Sequence, residues 1–522
     1  MLTVHGCGGV PTSGPTAAPL DTLRYPTAPA EAYQRIDGDS LLIKGASVID
    51  GLGGPAVGPM DVLVRDGRIA QIGGQLDAPD LPLIDAAGLT LMPGMITSHV
   101  HLQTPPGAVL RQDDDVTIRA LQLLQLRAYL ACGFTSVLDA AISGPTIELI
   151  QRHLADGGVG PNFFFLAPFL TPDTGYLGSP DLRGEVFRDL WEPIKLPGDV
   201  GRQLAAAKPL GPKGVKVTIE EGIEFSIWPI FDEARLDLIR EESAKIGTPI
   251  YVHSQTDDAH LAALRMKPHV LVHAGYIRDA PSPEVIAGLK QSGTYVISTA
   301  AISLIAGWGL EPTFAGDPWI RQRVPILQWQ TATHPDSPDA MLKVMIAANS
   351  PGWLPNWLAH LMYPVVGPDA EDALTFTRNS ARAVKIFHEA GIPWVLGADE
   401  GNWPAFTTFF HGVSSQIELE VLEKAGLSRA DIVVASTSRP AKMLGEFSRL
   451  GSIEVGKAAD LILVEKDPLI HGMAALRTLR WTIKDGHARS PAAWLKTERP
   501  TVPRAPETLP AEASLSDGRV SP

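Results

Sequence analysis

Cysteine is nearly absent from this chain: 522 residues carry only Cys7 and Cys132. Two thiols supply no disulfide framework, so the fold has to rest on a buried apolar core. Positive charge is also short. Forty-four Lys and Arg stand against 58 Asp and Glu, a net charge of −14. That balance argues against a nucleic-acid footprint and for a protein acting on small molecules. Long apolar runs are missing as well, since none reaches the roughly 18–20 residues needed to span a bilayer. The remainder, 45% hydrophobic and 20% charged, is the composition of an ordinary soluble globular protein. Length alone suggests about three domains, but α/β barrels with insertions can exceed about 400 residues as one unit.

Residues 1–40 are rich in Pro, Ala, Gly and Thr without periodicity and read as a flexible or surface-draped arm. Within it, Val4-His5-Gly6-Cys7-Gly8 faintly resembles a bacterial lipoprotein cleavage site, without the apolar leader of about 7–15 residues that such a site follows. A cytoplasmic location is the default expectation, with a truncated lipoprotein leader before Cys7 as the alternative. Short β-like pieces come next: Leu41–Val48, Met60–Val64 and, after an Asp66-Gly67 hairpin turn, Arg68–Gly73. Leu83–Asp85 and Leu89–Leu91 follow.

From the apolar run Leu91–Leu102 onward the rhythm becomes strand, turn, helix. The first strand ends in His99-Val100-His101, and seven more are read at Phe134–Asp139, Asn162–Ala167, Gly214–Ile219, Thr248–His253, Val270–His273, Tyr295–Ser298 and Trp394–Gly397. Helical periodicity lies between them, for example over Val116–Cys132, Ala234–Ile246 and Glu371–Ala390. Eight βα units close as a (β/α)8 TIM barrel, with active-site groups expected at the C-terminal strand ends. Strand character returns at Leu461–Val464 and Thr482-Ile483. One small β-sandwich domain is therefore expected from 41–92 plus 447–496, flanking a barrel over 93–446, with 497–522 as a C-terminal tail. Two long segments, 169–213 and 300–370, break the rhythm and carry Trp191, Trp308, Trp319, Trp329, Trp353 and Trp357. They read as lids or binding loops, or else the tryptophans pack the insertions or an oligomer interface.

Polar residues collect at the strand ends. On a strand, positions i and i+2 share a face, so His99 and His101 aim at one point and make a metal clamp. His253 and His273 end the fifth and sixth strands and Asp399 follows the eighth. Lys216, between Val215 and Val217, points to the barrel interior, where a bare ammonium is costly and its pKa falls. A neutral lysine amine takes up carbon dioxide as a carbamate, an oxygen ligand able to bridge two cations. The rival reading pairs Lys216 with Glu220, Glu221 or Asp399.

These residues, the lead-in Pro93-Gly94-Met95-Ile96 and the closing segment Ser448–Asp467 resemble the amidohydrolase superfamily, in its imidazolonepropionase-like and Xaa-Pro dipeptidase-like branch. The resemblance runs from Leu41 to Val464. It implies that His99, His101 and Asp399 hold one divalent cation and His253 and His273 a second, bridged by carboxylated Lys216. Zinc is the default metal, although manganese, cobalt or iron suits the same donors. Asp399 would be the catalytic acid/base, and His411 either orients it from behind or merely begins a helix. The implied activity is hydrolysis of a C–N amide bond in an N-acyl amino acid or dipeptide-like substrate with a bulky apolar or aromatic group. Tyr176, Glu220, Tyr276 and Arg278 are the substrate-binding candidates. A carbamate, urea, ester or lactone is the alternative substrate, and a non-catalytic binding barrel the more distant one. The resemblance also implies a homo-oligomer. The chain departs from the family pattern at Thr97, where many relatives carry an acid, and over Thr174-Gly175-Tyr176-Leu177-Gly178, where a Gly-Gly-His-Gly-like stretch is common.

Overall fold

The structure is a computed structural model and describes residues 18–177, 190–222, 228–276, 280–349, 370–401 and 406–497. Short runs of β-branched and aromatic residues, buried on both faces, form the eight barrel strands, as a parallel sheet requires. They are β1 (Met95–Val100), β2 (Phe134–Asp139), β3 (Asn162–Leu170), β4 (Gly214–Thr218), β5 (Ile250–His253), β6 (Val270–Val272), β7 (Tyr295–Ile297) and β8 (Trp394–Val395). Each pairs in parallel with its sequence neighbour. Backbone bonds from Ser98 N–H to Leu396 O (2.8 Å) and Asp399 N–H to His99 O (3.0 Å) close the seam between β8 and β1. The (β/α)8 barrel read from the strand–helix rhythm is the fold of this chain.

The helices begin where side-chain oxygens meet their free N–H groups. Asp114, Ser143, Asp232, Thr256 and Ser282 each accept a backbone N–H three residues on. These caps fix where the loops after β1, β2, β4, β5 and β6 must end.

A second sheet, mixed and nine-stranded, is built from segments on both sides of the barrel. Thr90–Pro93 runs antiparallel to Leu461–Val464, with Leu91 opposite Leu463, and parallel to Leu41–Val48. Leu41, Ile43, Val62, Ile69, Leu461 and Ile483 form its separate core. Residues 18–40 drape over the barrel. Leu23 and Tyr25 are buried against the helix Asp115–Ala131, and Arg35–Ile36 pairs with His487–Arg489. Cys7 and the tail beyond 497 lie outside the described residues.

The insertion between β7 and β8 differs from the sequence expectation of a long loop. Its described part is helical, over Ile302–Leu310, Pro318–Arg323, Ile326–Ala332 and Ser337–Asn349. The first three are short, at nine, six and seven residues, so no window holds enough turns to reveal a helical period. Trp308 and Trp329 pack against Phe314, and Arg323 lies over Trp319. Trp353 and Trp357 lie outside the described residues. Among the described residues no helix is long and apolar enough to cross a membrane.

Candidate metal centre

The four strand-end histidines meet in two pairs. His99 Nε2 lies 3.1 Å from His101 Nε2, and Asp399 Oδ1 sits 3.2 Å from the first and 2.8 Å from the second. Across the barrel mouth, His253 Nδ1 faces His273 Nε2 at 2.9 Å. The rings of His99 and His273 join the pairs, with centroids 4.7 Å apart. Burial holds the imidazoles of His99, His253 and His273 below the ordinary histidine range, so each offers a lone pair near neutral pH. Ligand atoms of His99, His273 and Asp399 all lie within 4.8 Å of one another, a geometry that could hold a metal ion. Neutral imidazoles and a carboxylate converging in a buried site fit a divalent cation.

Lys216 is buried on β4 and lines the same pocket. Burial pushes its amine down to about 8, against the opposing pull of Asp399 and then Asp139. The amine therefore gives up its proton far more readily than an ordinary lysine does.

The chain bends sharply as it leaves the strands. His273, Thr299 and Asp399 have φ of +83°, +43° and +53°, a region that costs non-glycine residues on the order of 1–3 kcal/mol each. Surrounding contacts hold them there. Thr299 Oγ1 lies 3.0 Å from His273 Nδ1. Asp139, at the end of β2, accepts Leu102 N–H (2.6 Å) and Ala141 N–H (2.9 Å) and so pins the backbone that follows His101. Glu400 accepts Gly412 N–H at 2.6 Å and Ser415 Oγ–H at 2.7 Å, and Ser415 Oγ is 2.8 Å from Thr97 Oγ1. Burial pushes the Glu400 carboxyl up to about 8. Ser415 thus links Thr97 to an acid from the other side of the seam.

His411 contacts the His101 carbonyl oxygen through Nε2, at 3.1 Å, and so braces the backbone of a candidate ligand from just before the helix Val413–Lys424. Gly401 makes that contact possible. Its φ is +77°, and a Cβ there would fall 2.0 Å from His101 O and 2.6 Å from His411 Nε2. Gly401→Ala should lose about 1–2 kcal/mol to the left-handed backbone and about 1–3 kcal/mol more to overpacking. Gly391→Ala, with φ +78° and nothing within 4 Å, should lose only the first part. Denaturant unfolding of the two variants side by side checks the difference.

The pocket over these groups is lined by Gln103, Ala141, Phe169, Tyr176, Leu177 and Leu190. Tyr176 stacks on His253, with centroids 4.8 Å apart and planes 12° from parallel. The other substrate candidates fall elsewhere. Glu220 is buried behind His253, 3.3 Å from its Nε2. Tyr276 turns away from the pocket, donating its hydroxyl to Asp257 Oδ1 at 2.6 Å beside His260. Arg278 lies outside the described residues. Sequence reasoning missed Asp139, Thr299, Glu400 and Gln103. Asp139 alone had a visible signal, since it ends an apolar strand as Asp399 follows one.

A parallel barrel with imidazoles, a lysine and a carboxylate converging at its strand ends is a barrel of the amidohydrolase class. This chain belongs to the amidohydrolase family, whose model matches residues 90–489. It is similar over 113 residues, at 39% identity, to a dihydroorotase of Citrifermentans bemidjiense, an alignment covering 21% of this chain and 24% of that protein. An N-acyl-D-aspartate deacylase of Alcaligenes xylosoxydans xylosoxydans is 49% identical over 74 residues, 14% of this chain and 13% of the deacylase. The chain thus matches about a quarter or less of the length of these curated relatives. Among solved structures, a Xaa-Pro dipeptidase with bound methionine in its active site superposes with a TM-score of 0.64 at 19% identity, over 86% of this chain and 98% of the dipeptidase. At that identity the likeness is one of fold.

Proposed function

We propose that this chain is a metal-dependent hydrolase that cleaves a C–N amide bond in an N-acyl amino acid or dipeptide-like substrate bearing a bulky apolar or aromatic group. The convergence of two imidazole pairs on Asp399 and Lys216 within one buried pocket carries the reading. His99, His101 and Asp399 would hold one divalent cation, zinc by preference, and His253 and His273 the other, with Lys216 between them as its carbamate. Bound there, the cations would supply Lewis-acid polarisation of the scissile carbonyl and acidify the attacking water.

The remaining work belongs to the chain. Asp399 takes the proton from the attacking water and returns it to the leaving nitrogen. His411, through the His101 carbonyl, and Asp139, through the Leu102 N–H, keep the ligand backbone from relaxing as the substrate arrives. Phe169, Tyr176, Leu177 and Leu190 exclude water and offer an apolar, aromatic wall to the substrate side chain. Arg278 is retained from the sequence as the partner for a substrate carboxylate, in bidentate form.

The test is turnover of a mixed set of N-acyl amino acids, dipeptides, aryl carbamates and lactones, read by mass spectrometry. Amides with a free carboxylate should be cleaved by the zinc-loaded protein, and a chelator should abolish the cleavage. Turnover confined to carbamates or lactones would overturn the substrate and leave the metal chemistry standing. Turnover that survives complete metal removal would overturn the mechanism.

A further inference from the structure

His253 poses a question that its neighbours answer. A neutral imidazole carries one proton on one of its two nitrogens. Its Nδ1 faces His273 Nε2 at 2.9 Å. A proton on that nitrogen would be donated to His273, leaving neither imidazole of the pair open to a cation. Whatever stands behind Nε2 therefore decides whether the second pair can bind metal.

Glu220 stands there. Its Oε2 lies 3.3 Å from His253 Nε2, with side-chain exposures of 3% and 5% for the two residues. Among the described residues neither atom makes a hydrogen bond, so each is left facing the other in an electrostatic contact. A carboxylate oxygen facing Nε2 favours the tautomer with its proton on that side and leaves Nδ1 with its lone pair. The carboxylate is held in place. Its other oxygen accepts Gly222 N–H at 2.7 Å, and Ile219 N–H bonds the His253 carbonyl at 2.8 Å. The Tyr176 ring stacked on the imidazole sets its plane. Among the described residues, His273 Nδ1 meets the hydroxyl of Thr299 and no carboxylate.

We propose that Glu220 is a positioning residue that selects the tautomer of His253 and thereby makes the second imidazole pair a metal site, distinct from the pair built on Asp399. The inference rests on the two-cation reading above. A carboxylate behind a ligating histidine also makes the imidazole a stronger donor, and removing such a partner typically weakens metal binding by roughly 10- to 100-fold. The loss should be confined to one of two sites.

The test is zinc titration of metal-stripped full-length protein against a chromophoric chelator, with thermal unfolding of the metal-free proteins alongside. Wild type should take up two equivalents. Glu220→Ala should keep one affinity and lose the other by roughly 10- to 100-fold, with the metal-free melting temperature nearly unchanged. Glu220→Gln, whose amide oxygen can still face Nε2 with its partial negative charge, should lose less, and it serves as the readout if the alanine variant does not fold. Wild type binding fewer than two equivalents would overturn the two-cation reading itself. Two sites in wild type and the same two affinities in both variants would overturn the role of Glu220. So would equal weakening of both sites together with a lowered melting temperature, the mark of a merely structural residue.

Discussion

Asp399→Asn should lower kcat by roughly 10²- to 10⁴-fold, with a smaller change in KM. Asparagine keeps the shape of the side chain but loses the charge and the ability to take a proton from water. The substitution is also clean in the backbone. Position 399 has φ +53°, a left-handed conformation that Asn tolerates as well as Asp does, so the fold should be unperturbed. Asp399→Ala lacks that tolerance and would mix strain with chemistry. Steady-state kinetics on a substrate from the mixed set, with circular dichroism as the folding control, checks the expectation. Activity within tenfold of wild type would sink the acid/base role.

Lys216→Met should abolish turnover and yet make the metal-free protein more stable at pH 7. Burial lowers this amine from its ordinary 10.5 to about 8 in the folded chain. Below pH 8 both folded and unfolded lysines are charged, and the folded state bears the full penalty of a buried ammonium, about 3 kcal/mol for a shift of that size. As pH rises from 8 to 10.5 the folded lysine is neutral while the unfolded one still binds its proton, and the penalty disappears. Methionine, of similar reach and apolar, removes the penalty at every pH. Denaturant unfolding in the absence of metal should therefore favour the variant at pH 7 and show the gap closing towards pH 10. A variant less stable than wild type at pH 7 would instead mean that Lys216 is a structural ion-pair partner of Asp399.

The barrel and the residues converging at its mouth were legible because their signals are local. A histidine ending an apolar strand, or a lysine between two valines, announces its direction through the period of two that a strand imposes. That logic stops where the strand stops. Tyr276 follows His273 closely in sequence, but the chain leaves β6 through φ +83° at His273 and delivers the phenol to Asp257 rather than to the pocket. Glu220, two residues beyond β4, turns behind His253 for the same kind of reason. Glu400 and Thr97 meet only through Ser415, more than three hundred residues from Thr97, so no window of sequence contains the contact. Three of the four insertion helices escaped notice because each is too short to display its own period.

The pairing of Leu91 with Leu463 also sets a schedule for biosynthesis. A ribosome adding about 5–20 residues per second makes the second of these residues roughly 20–75 seconds after the first. Until then Thr90–Pro93 is an apolar edge open to wrong partners on one side. β1, which continues it with only Gly94 between, waits nearly as long for β8. The nascent chain thus carries His99 and His101 early, on a strand with neither its flanking sheet nor its seam complete. Asp399 arrives with the closing of the barrel seam, and Leu461–Val464 joins Thr90–Pro93 after it, so the candidate metal centre is assembled in step with the closing of the fold.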